Sequence, residues 1–294
     1  MRGVEVLEKP AKSVLNAVKG MPFKWSINPY RGCFHQCVFC YARRTHSFLE
    51  EDGVAAWGRR IFVKTNAPAI LRAELAKRSW RHEYVAIGTV TDPYQPLEGR
   101  YRLTRGVLEA LRDYATPAGL ITRSPLVIRD TDVISQLART AGAHVSVSIA
   151  TLDERLAREI EPTVAPPRQR LRAVRALAEA GIAVHVALAP VLPQITDSSE
   201  NVEAVVRAAR DAGACRIWHN TLYLHEITRD AFFSYLRARH PELVARYAQT
   251  YRGTYAPQAV ANRIDRVVGE ALRSAPAPHR ATIQPDAAVQ LSLL

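Results

Sequence analysis

Long apolar segments and an export signal are both missing from this sequence. No window approaches the roughly 20 apolar residues that a transmembrane helix needs. The longest apolar run, Ile182 to Leu192, is interrupted by His185 and Pro190. Residues 1–12 mix acidic and basic side chains and lack the apolar stretch of a signal peptide. We therefore expect a cytoplasmic protein that does not enter a membrane.

Cysteine is scarce, with four in 294 residues, and the four are unevenly placed. Cys33, Cys37 and Cys40 lie within eight residues, whereas Cys215 is far away in sequence. An odd set of three leaves one thiol over, so disulfide pairing explains the group badly, and so few cysteines fit a reducing compartment. The spacing favours metal ligation.

Acidic residues are fewer than basic ones, 28 against 40, which gives a net charge of +12. A basic balance favours an anionic partner such as nucleic acid. However, no run of five or more basic residues occurs, so charge alone supports this partner only weakly. The 48% hydrophobic and 23% charged content fits a globular protein with a substantial core.

Strand and helix patterns alternate about six times along the chain. Alternation of this kind predicts a parallel sheet with helical crossovers, and six units are fewer than the eight of a complete barrel. We expect an α/β fold, a partial (β/α)6 TIM-type barrel. The predicted strands are 23–28, 84–90, 119–123, 143–149, 182–189 and 215–218.

Helix signals occur in the segments before, between and after these strands. We predict a short helix at Ser13–Val18, a helix from Asn66 that includes Trp80, an N-cap at Asp130 and a capping box that begins at Thr151. Beyond the barrel only helical patterns remain. The predicted organisation is a lead-in (1–22), the barrel core (23–226), a helical extension (227–274) and a loosely ordered tail (275–294).

Three thiolates on one loop can converge on a single centre, and cubane iron–sulfur clusters are held by cysteine thiolates. A closed cubane needs four ligands, so three would leave one iron open to another ligand. The alternative is a structural Cys3His zinc site with His35 or His46 as the fourth ligand, in a nucleic-acid-binding protein without catalysis. Zinc sites usually pair two short Cys/His hairpins, and no second pair is visible.

The wider cysteine loop resembles that of the radical SAM superfamily, in particular its spore photolyase-like branch. The resemblance rests on Asn28–Cys33, on Cys40–Arg43 and on the aromatic Phe39 before the last cysteine. Two further stretches of the chain resemble the same branch, 89–98 and 148–153.

This resemblance implies a radical SAM enzyme. It implies a 4Fe-4S cluster that reductively cleaves S-adenosylmethionine to a 5′-deoxyadenosyl radical, which abstracts hydrogen from a substrate. It also implies an electron donor of the flavodoxin or ferredoxin type. The substrate is not identified, and nucleic acid is one candidate class.

Polar residues follow the predicted strands, and in parallel α/β proteins chemistry lies at the carboxyl ends of strands. Thr91 with Asp92 suits the ammonium of S-adenosylmethionine, Arg123 its carboxylate and Ser148 its carboxylate or ribose. Each of these residues also fits an ordinary role, such as capping a turn. Two aromatic residues of the cysteine loop could pack near the adenine, Phe39 and Tyr41.

One position departs from the branch. Spore photolyases place a hydrogen-donating cysteine three residues before the aspartate at the end of strand two, and here that residue is Thr89. A threonine O–H bond is too strong to donate a hydrogen atom usefully, so we do not expect thymine-dimer repair by that route. Cys215, Tyr94 or Tyr223 could substitute. The candidate catalytic residues are Thr89, Tyr94, Cys215 and His219.

Overall fold

A computed structural model describes residues 3–45 and 57–283. In these ranges the strands are β1 (Glu5–Glu8), β2 (Asn16–Ala17), β3 (Trp25–Ile27), β4 (Tyr30–Arg31), β5 (Arg60–Val63), β6 (Val85–Ile87), β7 (Ala118–Thr122), β8 (Ala143–Ser148), β9 (Ala183–Val191) and β10 (Arg216–Thr221). The α-helices are α1 (Ala67–Leu75), α2 (Glu98–Tyr101), α3 (Leu103–Asp113), α4 (Thr131–Thr140), α5 (Glu154–Ile160), α6 (Pro167–Glu179), α7 (Ser199–Asp211), α8 (Glu226–Arg239), α9 (Val244–Thr250) and α10 (Gln258–Ser274). Short 3-10 helices occupy Tyr41–Thr45, Pro125–Asp130 and Pro241–Leu243.

The main sheet has the strand order β10-β9-β8-β7-β6-β3-β2. Neighbouring strands from β3 to β10 are parallel, and only β2 at the edge is antiparallel. Alternate side chains such as Val85, Ile87, Val145 and Val147 face the helices and join the largest apolar core. The predicted partial (β/α)6 barrel is therefore confirmed, because six parallel strands alternate with helices and the order does not close.

A second sheet of three short strands, order β1-β5-β4, was not predicted. Its strands have two to four residues, and β1 pairs with β5 across more than 50 residues of chain. Glu5 of β1 also pairs with Arg60 of β5 at 2.7 Å. Strands this short give too little periodicity to be detected. Their pairing places β4 directly before the cysteine loop.

The predicted helix at Ser13–Val18 is wrong, because this segment carries β2 instead. The Glu74 carboxylate accepts hydrogen bonds from the backbone N–H groups of Val14 and Leu15. The side chain of Asn16 donates to the Ser26 carbonyl of the neighbouring strand. Distant side chains thus satisfy backbone groups that a helix would have paired locally.

Three helix boundaries also differ from prediction. Trp80 lies beyond α1, which ends at Leu75. Asp130 stands at the start of α4 but makes no side-chain cap, since its carboxylate is used by Tyr94 and two arginines. The cap of α5 is Asp153, which accepts from the N–H groups of residues 155 and 156, and not Thr151. One strand boundary differs as well. The peptide bond between Ala189 and Pro190 is cis, and β9 continues through Pro190.

The carboxyl-terminal helices pack on the barrel core. Phe232 of α8 and Tyr247 of α9 share an apolar cluster with Cys37 and Phe39 of the cysteine loop. Helix α10 packs on α7 and β10. The described part of the predicted tail reaches Ile283, whose N–H donates to the Gly181 carbonyl. Among the described residues, no helix is both long and apolar enough to cross a membrane.

Candidate functional site

A cavity lies where the carboxyl ends of β3, β6 and β7 meet the cysteine loop. All three cysteines of that loop line it, and Cys33 and Cys37 are buried. The other lining residues are His35, Gln36, Tyr41, Trp57, Gly88, Thr89, Val90, Thr91, Asp92, Ile121 and Arg123. The strand-end location agrees with the usual place of active sites in parallel α/β folds.

The cysteine loop has few regular backbone hydrogen bonds, and side chains hold it instead. The buried Gln95 accepts from the N–H of Phe34 at 3.1 Å and donates to the carbonyl of Gly32 at 3.2 Å. The guanidinium of Arg43 donates to the Cys37 carbonyl at 3.1 Å. On the other side, the Thr228 hydroxyl of α8 donates to the Cys40 carbonyl at 3.2 Å. These contacts hold the loop in place at the strand ends.

The surroundings of the cysteines fit a metal centre. Burial raises the pKa of Cys33 to about 12, and the charges of Asp92 and Cys40 contribute to this rise. Burial likewise raises the pKa of Cys37 and of Cys40. Such thiols keep their protons at neutral pH unless a metal ion takes the proton's place. The thiol groups are near enough to influence one another's ionisation, as ligands of one centre must be.

A single zinc ion fits these residues less well than a cluster. Within the described ranges, no three Cys, His, Asp or Glu side chains converge as ligands of one ion. In a cubane each thiolate binds a separate iron, so such convergence is not required. His35 lies with Nε2 3.2 Å from Asp92 Oδ2, where it contacts a carboxylate. His46, the other predicted zinc ligand, lies outside the described residues.

Asp92 joins the cysteine loop to two strand ends. Its Oδ1 accepts from the hydroxyl of Thr122 at 2.6 Å and the N–H of Tyr94 at 2.9 Å, and its Oδ2 accepts from the N–H of Arg123 at 2.7 Å. Burial alone would raise the pKa of this carboxyl, but His35 and these donors lower it. Asp92 thus accepts two hydrogen bonds at Oδ1 and one at Oδ2, which also contacts His35. These contacts give Asp92 a structural role, and its predicted binding of an ammonium group stays a prediction.

Thr91 lines the cavity but is only 2% exposed, and its hydroxyl donates to the carbonyl of Tyr30 at 3.3 Å. Its N–H and that of Val90 donate to the side chain of Asn28. Asn28 thereby shapes the chain after β6, a role that its place in the cysteine motif did not predict. The expected contact of Thr91 with a ligand stays a prediction.

Arg123 is well placed to bind an anion. Its Nε donates to Glu161 at 2.8 Å and its Nη2 to the carbonyl of Ala189 at 3.0 Å, while Nη1 has no partner among the described residues. The guanidinium lies 5.6 Å from the centre of the Phe39 ring. Burial would lower the pKa of Arg123, but Cys37 and Glu161 raise it, so the group stays charged.

The other predicted cofactor contacts are divided between the cavity and its surroundings. Tyr41 lines the cavity and its hydroxyl donates to the Thr89 carbonyl. Phe39 is buried in the cluster shared with α8. Ser148 ends β8 and its carbonyl accepts from Arg170, and neither it nor Phe39 belongs to the cavity lining. These assignments stay predictions.

Of the four candidate catalytic residues, the structure brings only Thr89 to the cavity. The Tyr94 hydroxyl is fully buried and donates to Asp130 at 3.1 Å. His219 lies 2.9 Å from Asp265 of α10, on the outer side of the sheet. Cys215 precedes β10, so it lies at the amino-terminal ends of the parallel strands, whereas the cysteine loop lies at their carboxyl ends. Its thiol donates to the Val184 carbonyl. Cys215 is therefore not part of the cavity lining.

An aromatic row leads from the cavity to the surface. The rings of Tyr41 and Tyr223 are 5.7 Å apart, and those of Tyr223 and Tyr255 are 5.8 Å apart and stacked. Tyr255 is 75% exposed, although a backbone bridge to Tyr223 holds it in place. Sequence reasoning missed Tyr255 and Glu161, because burial and stacking partners are not visible in a single sequence.

Comparison with known proteins agrees with this geometry. The sequence model of the Radical SAM superfamily matches residues 27–203. An uncharacterized protein of Mycobacterium tuberculosis is 41% identical over 87% of this chain and 76% of its own length. An uncharacterized protein of Methanocaldococcus jannaschii is 27% identical over 81% of this chain and 85% of its own length.

Among solved structures, a single mutant of spore photoproduct lyase superposes with a TM-score of 0.70 at 12% identity, over 94% of this chain and 81% of that chain. A double mutant of the same lyase, with bound AdoMet and dinucleoside spore photoproduct, gives 0.67 at 13% identity, over 95% and 82%. These likenesses show the fold. Because the superfamily match spans more than half of the sequence, this chain belongs to the radical SAM superfamily and is a radical SAM enzyme.

Proposed function

We propose that Cys33, Cys37 and Cys40 hold a 4Fe-4S cluster whose fourth iron binds S-adenosylmethionine. The observation that carries this proposal is the grouping of three cysteines of one loop, two of them buried, around a single cavity beside a charged arginine. When bound, the cluster and S-adenosylmethionine supply a 5′-deoxyadenosyl radical, for which an external donor of the flavodoxin or ferredoxin type gives the electron.

The protein's own residues bind and orient. Nη1 of Arg123, which has no partner among the described residues, would donate to the carboxylate of S-adenosylmethionine, in a charge-assisted bond that is stronger than a neutral one. Tyr41, fixed by its bond to the Thr89 carbonyl, forms one wall for the adenosyl group. The burial of the cysteine loop excludes water from the reacting groups.

Anaerobic reconstitution tests the cluster. The wild-type protein should bind about four irons and four sulfides, as the cubane requires. After reduction it should form 5′-deoxyadenosine from S-adenosylmethionine. Replacing any of the three loop cysteines by alanine should abolish both properties. Cys215→Ala should retain them, since Cys215 lies at the amino-terminal ends of the strands, away from the cysteine loop. Stoichiometric zinc without iron would overturn the proposal.

For the substrate we propose a nucleic acid. The exposed ring of Tyr255 offers a stacking surface next to the cavity, and stacking on aromatic side chains is how many proteins hold unpaired bases. The chain carries a net charge of +12, which favours a polyanion. Bound dinucleoside spore photoproduct in the solved relative agrees with a base-containing substrate.

Binding of fluorescent single-stranded oligonucleotides tests this substrate class. Affinity should fall steeply with salt, because binding to phosphates releases counterions. Tyr255→Ala should weaken binding by about 1–3 kcal/mol, whereas Tyr255→Phe keeps the ring and should bind nearly as well. Met21→Ala, at another exposed apolar residue, is the control. Salt-independent binding, or equal losses in Tyr255→Ala and Met21→Ala, would rule this class out.

A further inference from the structure

A chain of three charges, of which Arg170 and Glu161 are buried and Arg123 is partly exposed, reaches the proposed cluster site. Arg170 of α6 is 1% exposed, and its Nη2 lies 2.5 Å from Glu161 Oε2. The other oxygen of Glu161 accepts from Nε of Arg123 at 2.8 Å. Arg123 in turn lines the cavity beside the cysteines. The order is therefore positive, negative, positive, and the last charge is the one at the site.

Glu161 is a buried carboxylate that lies between two positive charges. Burial alone would raise the pKa of its carboxyl, but Arg170 and Arg123 lower it, so the group is ionised. Arg170 is itself fixed by the carbonyls of Ser148 and Ala165, at 2.9 and 2.8 Å. A buried ion pair contributes little net stability compared with apolar residues of the same volume. Packing alone therefore gives a weak reason for placing this trio here.

The geometry gives the trio a role at the cavity. Glu161 and Ala189 together occupy Nε and Nη2 of Arg123, which leaves Nη1 as the donor without a partner among the described residues. Arg123 lines the same cavity as Cys37, so Glu161 places a negative charge directly behind the positive charge at the cysteine loop. Glu161 thus determines both how the guanidinium is turned and how much of its charge the cysteine loop experiences.

We propose that Glu161 is a positioning residue that, through Arg123, sets the reduction potential of the metal centre and aims one edge of the guanidinium at an anionic ligand. The inference rests on the proposed function, since it needs a cluster on the three cysteines. It adds a control of the site by a residue that lies behind Arg123 and outside the cavity lining.

Charge substitution separates this role from a structural one. Glu161→Gln removes a negative charge, so electron addition becomes easier and the cluster potential should rise. Arg170→Gln removes a positive charge from the same chain, and the potential should fall. A loss of packing alone would move both variants in the same direction or leave both unchanged. Opposite shifts are therefore the signature of the proposed role.

The measurements are redox titration of the reconstituted cluster, followed by electron paramagnetic resonance, and equilibrium binding of S-adenosylmethionine to the oxidised protein. Glu161→Gln should also weaken this binding about tenfold, because glutamine cannot accept from both guanidiniums and Arg123 loses its orientation. Glu161→Asp keeps the negative charge, so the reduction potential of its cluster should stay close to that of the wild type.

The matched control is Asp130→Asn, which changes another fully buried carboxylate shared by two arginines but outside the cavity. It should change neither potential nor affinity. Unchanged values in both Glu161→Gln and Arg170→Gln, shifts of the same sign, or equal shifts in Asp130→Asn would overturn the inference while leaving the cluster assignment intact. A wild-type protein that binds no cluster would overturn both. If Glu161→Gln does not fold, the sign of the Arg170→Gln shift decides alone.

Discussion

At the scale of single residues, the cavity depends on close backbone approaches as much as on charged groups. Gly88 follows β6 with φ +85°, in the left-handed region that favours glycine. A Cβ at this position would lie 2.5 Å from both the Ile121 carbonyl oxygen and the Pro93 ring. Both neighbours are backbone or rigid, so neither can move aside cheaply. Gly88 thus lets β6 and β7 end side by side at the site.

Gly88→Ala should therefore destabilise the protein by more than the roughly 1–3 kcal/mol of a strained dihedral alone. It should also lower iron uptake, because the strand ends that face the cysteine loop must separate. Gly99→Ala is the control, since a Cβ there meets nothing within 4 Å and the residue has no positive φ. Urea unfolding of the two variants checks the prediction, and equal stabilities would contradict it.

At the scale of elements, helix α8 packs against the cysteine loop outside the cavity. Phe232 of α8 is fully buried, with ring centroids 5.7 Å from Tyr235 and 5.3 Å from Tyr247. These rings share a cluster with Cys37 and Phe39. The extension predicted beyond residue 226 therefore forms part of the wall around the site.

Phe232→Ala should cost about 3–5 kcal/mol of unfolding free energy, as for other fully buried aromatic residues. The cavity it leaves lies beside the cysteine loop, so a reconstituted cluster should bleach faster in air than in the wild type. The adjacent Phe233→Ala, at a partly buried ring, should have a smaller effect on both. Equal bleaching rates in wild type and Phe232→Ala would show that α8 does not shield the loop.

At the scale of the whole molecule, the inner face of the sheet carries a row of rings. Tyr84 and His144 stack with centroids 5.9 Å apart, and His144 and His185 stack at 4.4 Å. Burial lowers the pKa of His144 to about 4, with help from Arg216. Burial lowers the pKa of His185 to about 3, with help from His144 and Arg216. Both rings are neutral in the folded protein at pH 7.

Stability should therefore fall as the pH drops from 7 to 5. An unfolded histidine has a pKa of about 6.5, so between that value and about 4 the unfolded state binds more protons and unfolding is favoured. Urea titrations at pH 7, 6 and 5 measure the slope. His185→Gln should flatten it, whereas the exposed His279→Gln should not. A slope unchanged by His185→Gln would contradict the assignment.

Much of the site was visible in the sequence because it is local. The three cysteines lie on one loop, and their spacing predicted a metal centre without any knowledge of distant contacts. The six apolar strand patterns likewise predicted the parallel sheet, since periodicity reports which face of a segment is buried. By contrast, β1, β4 and β5 are too short for periodicity, and Ser13–Val18 followed a distant carboxylate instead of its own helical pattern.

The sequence by itself thus determined the fold class, the loop that carries the three cysteines and the edge of the sheet where the site lies. Only the tertiary structure decided which polar residues reach the cavity. It brought Thr89 and Arg123 to the site, placed Cys215 at the amino-terminal ends of the strands and showed that Asp92 already accepts three hydrogen bonds. It also revealed Glu161 behind Arg123. The reason is that burial, side-chain direction and hydrogen-bond partners depend on residues far apart in the chain, which no local pattern encodes.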